Sequence, residues 1–115
     1  MTRYYQDYIN DILEECNYLL NRSKDLTFSE FEKNEDLRRA FTRSLEIIGE
    51  AVKKLPEELK KKNKEIPWKE IAGMRDKLIH DYFGVDYEII WLTVKEDIPV
   101  FRDEIQKIIN EIKKK

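Results

Sequence analysis

The chain has 115 residues, 41% of them hydrophobic and 40% charged, and a formal net charge of −2. This balance excludes a disordered chain and indicates one globular domain, residues 1–115, long enough to bury a core. No apolar run approaches the ~18 residues of a membrane-spanning helix, and the N-terminus has no apolar signal-peptide core; this predicts a cytoplasmic protein without a membrane partner. The single cysteine, Cys16, fits a reducing compartment, and we expect its thiol to be buried.

The first third of the chain has the pattern of two amphipathic helices with a short helix between them. An apolar stripe at spacings of three and four predicts a first helix over about Arg3 to Ser23: Tyr5, Tyr8, Ile12, Cys16 and Leu19. Thr27 and Glu30 have the spacing of a capping box, which predicts a short helix with two inward side chains, Phe28 and Phe31. Asn34 is suited to cap the helix that follows.

The third helix carries a sustained apolar seam. Its members recur at spacings of four and three residues: Leu37, Phe41, Ser44, Ile48, Ala51 and Leu55. Such a seam is usually the core of a helical bundle, and its two small residues would let another helix approach closely. Pro56 is expected to end this helix or to begin a short one through Leu59.

The rest of the chain predicts further helices and no strand. The run Lys60–Lys64 favours a solvated connector over an RNA-contacting patch. Pro67 then begins a fourth helix, with Trp68 as a core anchor. Asp86 is suited to cap a fifth helix that ends near Lys95, and a separate last helix opens at the segment Asp97-Ile98-Pro99. The predicted fold class is all-α, an up-down helical bundle of five to six helices.

The stretch from Met74 to Asp86, most of it on the predicted fourth helix, reads MRDKLIHDYFGVD. It contains His80, the only histidine of the chain, and Arg75 five residues before it. Gly84 is suited to close the helix. Histidine has the side-chain pKa nearest to neutrality, and arginine presents a permanently charged fork to phosphate oxygens. Together these two residue types are suited to cleaving a phosphodiester bond in RNA.

The chemistry suited to this pair uses the ribose itself as the nucleophile. A base removes the proton of the 2′-hydroxyl, the oxygen attacks the adjacent phosphorus, and the arginine stabilises the charged transition state. The product is a 2′,3′-cyclic phosphate, and DNA is not a substrate because it lacks the nucleophile. Asp76 lies four residues before His80 and is placed to orient the imidazole. One histidine and scattered carboxylates make a poor zinc set, so we expect no metal and no cofactor.

A regular helix does not aim Arg75 and His80 at one phosphate, because five residues turn by about 140°. Either the helix is distorted near Leu78, as a π-bulge would do, or the site combines residues from two chains. Two chains would also supply the base and the acid that cleavage needs. We therefore expect a homodimer formed through the helices that carry the seam and the motif.

The pattern Arg75-x4-His80-x-Tyr82, preceded by Ile66-Pro67-Trp68, resembles the HepT-like branch of the HEPN proteins over nearly the whole chain. The resemblance implies a helical ribonuclease toxin of a type VII-like toxin–antitoxin system, acting on RNA such as tRNA. It implies that Arg75 and His80 are catalytic across a symmetric dimer interface. It also implies a minimal-nucleotidyltransferase antitoxin that silences the enzyme by attaching AMP to Tyr82. The added phosphate charge beside Arg75 would block RNA.

Other interpretations stay open. Many HEPN proteins have asparagine after the motif arginine, where this chain has Asp76, so the resemblance does not fix the hydrogen-bonding role of that position. A tyrosine such as Tyr82 is more often a core residue with its hydroxyl at the surface. An isolated His80 at a helix end would usually be structural. The alternative function is a non-catalytic helical module that binds a nucleotide or a partner protein.

Overall fold

The computed structural model describes residues 4–74, 76 and 86–114, and within these residues the backbone is helical with no strand. A π-helical segment, Thr93–Asp97, joins two of the helices into one continuous rod. The α-helices in this part of the chain are α1 (Tyr5–Ser23), α2 (Phe28–Lys33), α3 (Glu35–Lys53), α4 (Glu57–Lys62), α5 (Trp68–Ala72), α6 (Tyr87–Leu92) and α7 (Ile98–Lys113). The fold is the predicted all-α bundle.

The three long helices form the centre of the bundle, since α1 packs against both α3 and α7. The predicted stripe of α1 faces inward, with Ile12, Cys16 and Leu19 buried and Tyr5 and Tyr8 half-buried. The buried hydrophobic side chains on α1 and α7 are Ile9, Ile12, Cys16, Leu19, Ile98, Phe101, Ile105, Ile108 and Ile109. Fully burying one such side chain contributes about 1.5–3 kcal/mol, so these stripes hold the bundle together.

The seam of α3 lies within this core, and each of its members is at most 7% exposed: Leu37, Phe41, Ser44, Ile48, Ala51 and Leu55. The seam therefore packs against other helices of its own chain. The homodimer through the helices that carry the seam and the motif stays a prediction.

Local capping signals set the helix starts as predicted. The Thr27 hydroxyl accepts the Glu30 amide at 3.1 Å, and the Glu30 carboxylate accepts the Thr27 amide at 3.0 Å, which is a complete capping box. Asn34 Oδ1 accepts the Leu37 amide at 3.0 Å and begins α3. These bonds satisfy amides that a helix start leaves free.

Helix α4 is longer than expected. Pro56 is its N-cap, and the helix continues to Lys62 rather than to Leu59. Three lysines of the predicted connector therefore lie in the last turn of α4. Positive charge is favourable there because the C-terminal end of the helix dipole is negative. Lys60 Nζ lies 3.7 Å from Glu57 Oε1 in an ion pair on the helix surface.

The fifth and last predicted helices are not separate. They are continuous through the π-helical segment, in which the Ile98 amide donates to the Thr93 carbonyl. Pro99 has no amide hydrogen, so it interrupts the α-helical hydrogen bonding just where this wider turn occurs. The segment is tied to α1 by Lys95, whose Nζ donates to the Ser23 carbonyl at 3.1 Å. In the described part of the chain, no helix is both long and apolar enough to cross a membrane.

Candidate functional site

Of the predicted site residues, Asp76 is the one that lies among the described residues; it is helical and exposed to solvent. Arg75, His80 and Tyr82 lie outside the described residues, and so does the proposed distortion near Leu78. Their roles therefore stay predictions. The residues on either side of the motif define the frame that holds it.

The N-terminal side of the motif is anchored by Trp68. Its side chain is 8% exposed, and its ring packs edge-on against Phe101 of α7 with ring centroids 6.0 Å apart. The indole N–H donates to the Asn63 carbonyl at 3.0 Å, so the polar end of the ring is also satisfied. Ile66, just before it, is 2% exposed. The predicted core anchor is confirmed, and it fixes the helix that leads into the motif.

The C-terminal side is anchored by Asp86 and Tyr87. The Asp86 carboxylate accepts the amides of Glu88 at 3.0 Å and Ile89 at 3.3 Å, which confirms it as the cap of α6. The Tyr87 ring packs edge-on against Phe31 at 6.4 Å between centroids. Both α5 and α6 contact α3, so the two sides of the motif are held by the same central helix.

An apolar groove of about 430 Å³ is lined in part by Met74, the first residue of the motif. Its apolar lining is Pro67, Ile71, Met74, Ile89, Ile98, Val100 and Phe101. Two of these side chains are unusually open to solvent for their type, Ile89 at 51% and Val100 at 61% exposed. The polar lining consists of Thr93 and four acidic residues: Glu70, Glu96, Asp97 and Glu104. Burial, and then the nearby charge of Glu65, raises the pKa of the Glu104 carboxyl. Phosphate would be repelled here, so the groove suits apolar contact rather than RNA.

A second concave region, which we call the arginine pocket, has a volume of about 350 Å³. Its lining is Glu35, Arg38, Arg39, Thr42, Arg43, Glu46 and Tyr87. Sequence reasoning missed these arginines because they are interleaved with the apolar seam of α3. The available signal was that positions 39 and 43 are four residues apart, on one helix face.

Cys16 is not a candidate nucleophile. It is fully buried, and burial raises the pKa of its thiol to about 12. The reactive form of cysteine is the thiolate, which is scarce at neutral pH when the pKa is so high. The prediction of a buried core thiol is confirmed. Within residues 4–74, 76 and 86–114, no group of three or more His, Cys, Asp or Glu side chains is arranged to hold a metal ion.

The model of the family described as Ribonuclease HepT-like matches residues 8–108. Putative RNase TTE0752 of Caldanaerobacter subterraneus subsp. tengcongensis is 54% identical over 106 residues, which cover 92% of this chain and 95% of that protein. Probable ribonuclease HepT of Thermococcus cleftensis is 44% identical over 108 residues, covering 94% of this chain and 98% of that protein. No solved structure matches the chain significantly. The chain belongs to the HepT-like ribonuclease family, as its motif and its helical fold indicate.

Proposed function

We propose that this protein is a metal-independent endoribonuclease and the toxin of a toxin–antitoxin pair. The observation that carries the proposal is the Arg75-x4-His80 motif in a chain that matches the HepT-like family over residues 8–108. The surroundings of the motif support it, because Trp68 packs on Phe101 and Tyr87 packs on Phe31, which ties both sides of the motif to the bundle. A catalytic motif works best on elements whose neighbours hold it in place.

In the proposed reaction, His80 takes the proton of the ribose 2′-hydroxyl, and the oxygen attacks the adjacent phosphorus. Arg75 stabilises the negative charge that develops on the phosphate oxygens. A second histidine protonates the 5′-oxygen of the leaving nucleotide, so that a 2′,3′-cyclic phosphate and a 5′-hydroxyl result. Asp76 orients the imidazole of the base. No step needs a metal ion.

A homodimer supplies the second histidine, because the chain has only one. We propose that two chains meet at the apolar groove, where Ile89 and Val100 expose apolar surface and Met74 of the motif contributes to the lining. An exposed apolar patch with a polar rim is typical of a protein interface. In a two-fold pairing at this face, the motifs of the two chains approach each other, and one His80 serves as base while its symmetry mate serves as acid.

A nucleotidyltransferase antitoxin is the proposed regulator. It would attach AMP to the hydroxyl of Tyr82, which lies seven residues after Arg75 in the sequence. An added phosphate brings negative charge and strong acceptor oxygens to the motif. These would occupy Arg75 and exclude the RNA phosphate, so the modified toxin would be inactive.

The direct test is incubation of the purified protein with total RNA in EDTA. We expect RNA fragments, and Arg75→Ala and His80→Ala should each lower the rate by roughly 10²–10⁴-fold, the usual contribution of a positioned acid or base. Arg22→Ala is a matched control, since it removes an exposed arginine at the end of α1. Intact RNA at every protein concentration, or full activity of either motif variant, would contradict the proposal. RNA that is bound but never cleaved would favour the non-catalytic module.

A further inference from the structure

We propose that the arginine pocket binds the phosphodiester backbone of the RNA next to the cleaved bond. This inference rests on the proposed function, because that function makes RNA the substrate of the motif. Tyr87, which lines the pocket, follows the motif's last residue, Asp86, directly in the chain. A strand held at the pocket is therefore close to the C-terminal end of the motif.

Arg38 is the central residue of the pocket. Its guanidinium carbon lies 5.0 Å from the centroid of the Tyr87 ring, a cation–π contact that holds the group in place. Its Nε is buried and is the one buried side-chain nitrogen or oxygen without a hydrogen-bond partner in the described part of the chain. The Arg38 side chain as a whole is half-buried and lines the pocket, so a phosphate would meet the rest of its guanidinium group rather than this nitrogen. Phosphate oxygens fit the fork of an arginine.

Arg39 and Arg43 add positive charge to the pocket, and their ion pairs with glutamates of the same helix are weak. Arg39 lies 2.9 Å from Glu35, but both side chains are well exposed, at 78% and 63%. Arg43 pairs with Glu46 at 3.4 Å and is 61% exposed itself. Exposed ion pairs contribute little to stability, so a phosphate can replace the carboxylate partner. Three arginines against two glutamates leave the pocket positive on a chain whose net charge is −2.

The chemistry of the pocket predicts what it recognises. Guanidinium groups contact phosphates, and such contacts position a nucleic acid without reading its sequence. The apolar groove is acidic and unsuited to RNA, whereas the arginine pocket carries an excess of positive charge. The pocket therefore holds the strand while Arg75 and His80 act on it.

Binding of a fluorescein-labelled single-stranded RNA of mixed sequence tests the proposal by fluorescence anisotropy. The full chain carries His80→Ala throughout, so that the RNA stays intact. Arg38→Ala in this background should weaken RNA binding about tenfold. The slope of the logarithm of the binding constant against the logarithm of the salt concentration (the salt slope) should become shallower by ~0.7 for each RNA phosphate that the variant no longer neutralises. Arg39→Ala with Arg43→Ala should also weaken binding. The double variant keeps the test valid if Arg38→Ala fails to fold, because both of its positions are exposed.

Arg22→Ala in the same background is the charge-matched control and should bind like its parent. If the Arg38 variant and the double variant bind RNA as tightly as this control, with the same salt slope, the pocket does not contact the substrate. If ATP displaces the RNA at equal concentration, the pocket is a mononucleotide site and the proposal is wrong. Failure of the proposed function gives a different result. In that case the protein with His80 intact would not cleave RNA, whether or not the pocket variants change RNA binding.

Discussion

In the proposed mechanism, His80 supplies the acid–base chemistry of the cleavage step. It is the only histidine, and the only cysteine, Cys16, is buried with the pKa of its thiol raised to about 12. An ordinary histidine exchanges protons near neutral pH. The proposal that two copies of His80 act as base and acid rests on the composition of the chain and on the needs of the reaction.

Tyr82→Phe should separate cleavage from regulation. We expect the variant to cleave RNA like the parent, because the ring is kept, and to escape inactivation by the antitoxin with ATP, because the acceptor hydroxyl is removed. Mass spectrometry of the co-expressed pair should place AMP on the peptide that contains Tyr82. An adduct on Tyr4, Tyr5 or Tyr87, or a Tyr82→Phe protein that is still silenced by modification, would remove Tyr82 from the mechanism.

Glu104→Gln should stabilise the protein at neutral pH. Burial raises the pKa of Glu104 above its ordinary value of 4.5, so the charged carboxylate makes the folded state less stable when the pH exceeds that value. Glutamine keeps the shape and removes the charge. The melting temperature of the variant should exceed that of the parent at pH 7, and the difference should vanish as the pH falls below 4.5. A difference that persists in acid would show that another effect dominates.

At the scale of helices, the two short helices that border the motif, α5 and α6, depend on tertiary contacts for their stability. Helix α5 spans Trp68–Ala72 and α6 spans Tyr87–Leu92, both too short to be stable alone in water. They are held by tertiary contacts, since Trp68 packs on Phe101 and the Trp91 ring lies 5.4 Å from that of Phe31. The caps and anchors of these two helices should therefore affect activity as well as stability.

Asp86→Ala should lower stability by about 1 kcal/mol, the usual cost of losing an N-cap, and so lower the melting temperature by about 4 °C. Asp86→Asn is the matched control, because asparagine caps a helix about as well as aspartate. Cleavage by the alanine variant should fall as well, since the end of the motif loses its fixed position. Thermal unfolding followed by circular dichroism measures the first effect. Equal melting temperatures for the alanine and asparagine variants would show that the two hydrogen bonds of this cap contribute nothing.

Most helix boundaries could be predicted because their causes lie within a few residues. The capping box of Thr27 and Glu30, and the cap of Asn34, depend on spacings of three residues. The junction of α6 and α7 could not be predicted in the same way. A π-helical turn beside Pro99 continues the helix there, and local pattern alone does not distinguish such a turn from a break.

At the scale of the whole molecule, the sequence pointed to a motif but not to its surroundings. The groove combines residues from α5, α6, the π-helical segment and α7, and the arginine pocket combines α3 with Tyr87. Such surfaces arise from packing between distant parts of the chain. The α3 seam illustrates the limit, since its pattern could not tell whether it faces the same chain or another one, and the structure shows it buried.

Ile89→Glu and Val100→Glu should convert the protein to a monomer and lower RNA cleavage. Each places a charge on the exposed apolar surface of the groove, where a second chain would have to bury it. Leu92→Glu is the matched control, since Leu92 is 44% exposed on the same helix as Ile89 but does not line the groove. Sedimentation velocity at micromolar protein concentration measures whether each variant is a monomer or a dimer. A parent protein that is monomeric and still active would exclude the two-chain site.

The nature of the cleaved ends tests most directly the claim that Arg75 and His80 cleave RNA through the ribose 2′-hydroxyl without a metal. End-labelled RNA is incubated with the protein in EDTA, beside the same RNA with a single 2′-deoxynucleotide on the 5′ side of the cleaved bond. We predict fragments with 2′,3′-cyclic phosphate ends, no cleavage at the deoxynucleotide, and no fragments with His80→Ala. Fragments with 3′-hydroxyl ends, cleavage at the deoxynucleotide, or activity that returns only when a divalent metal is added would contradict this mechanism.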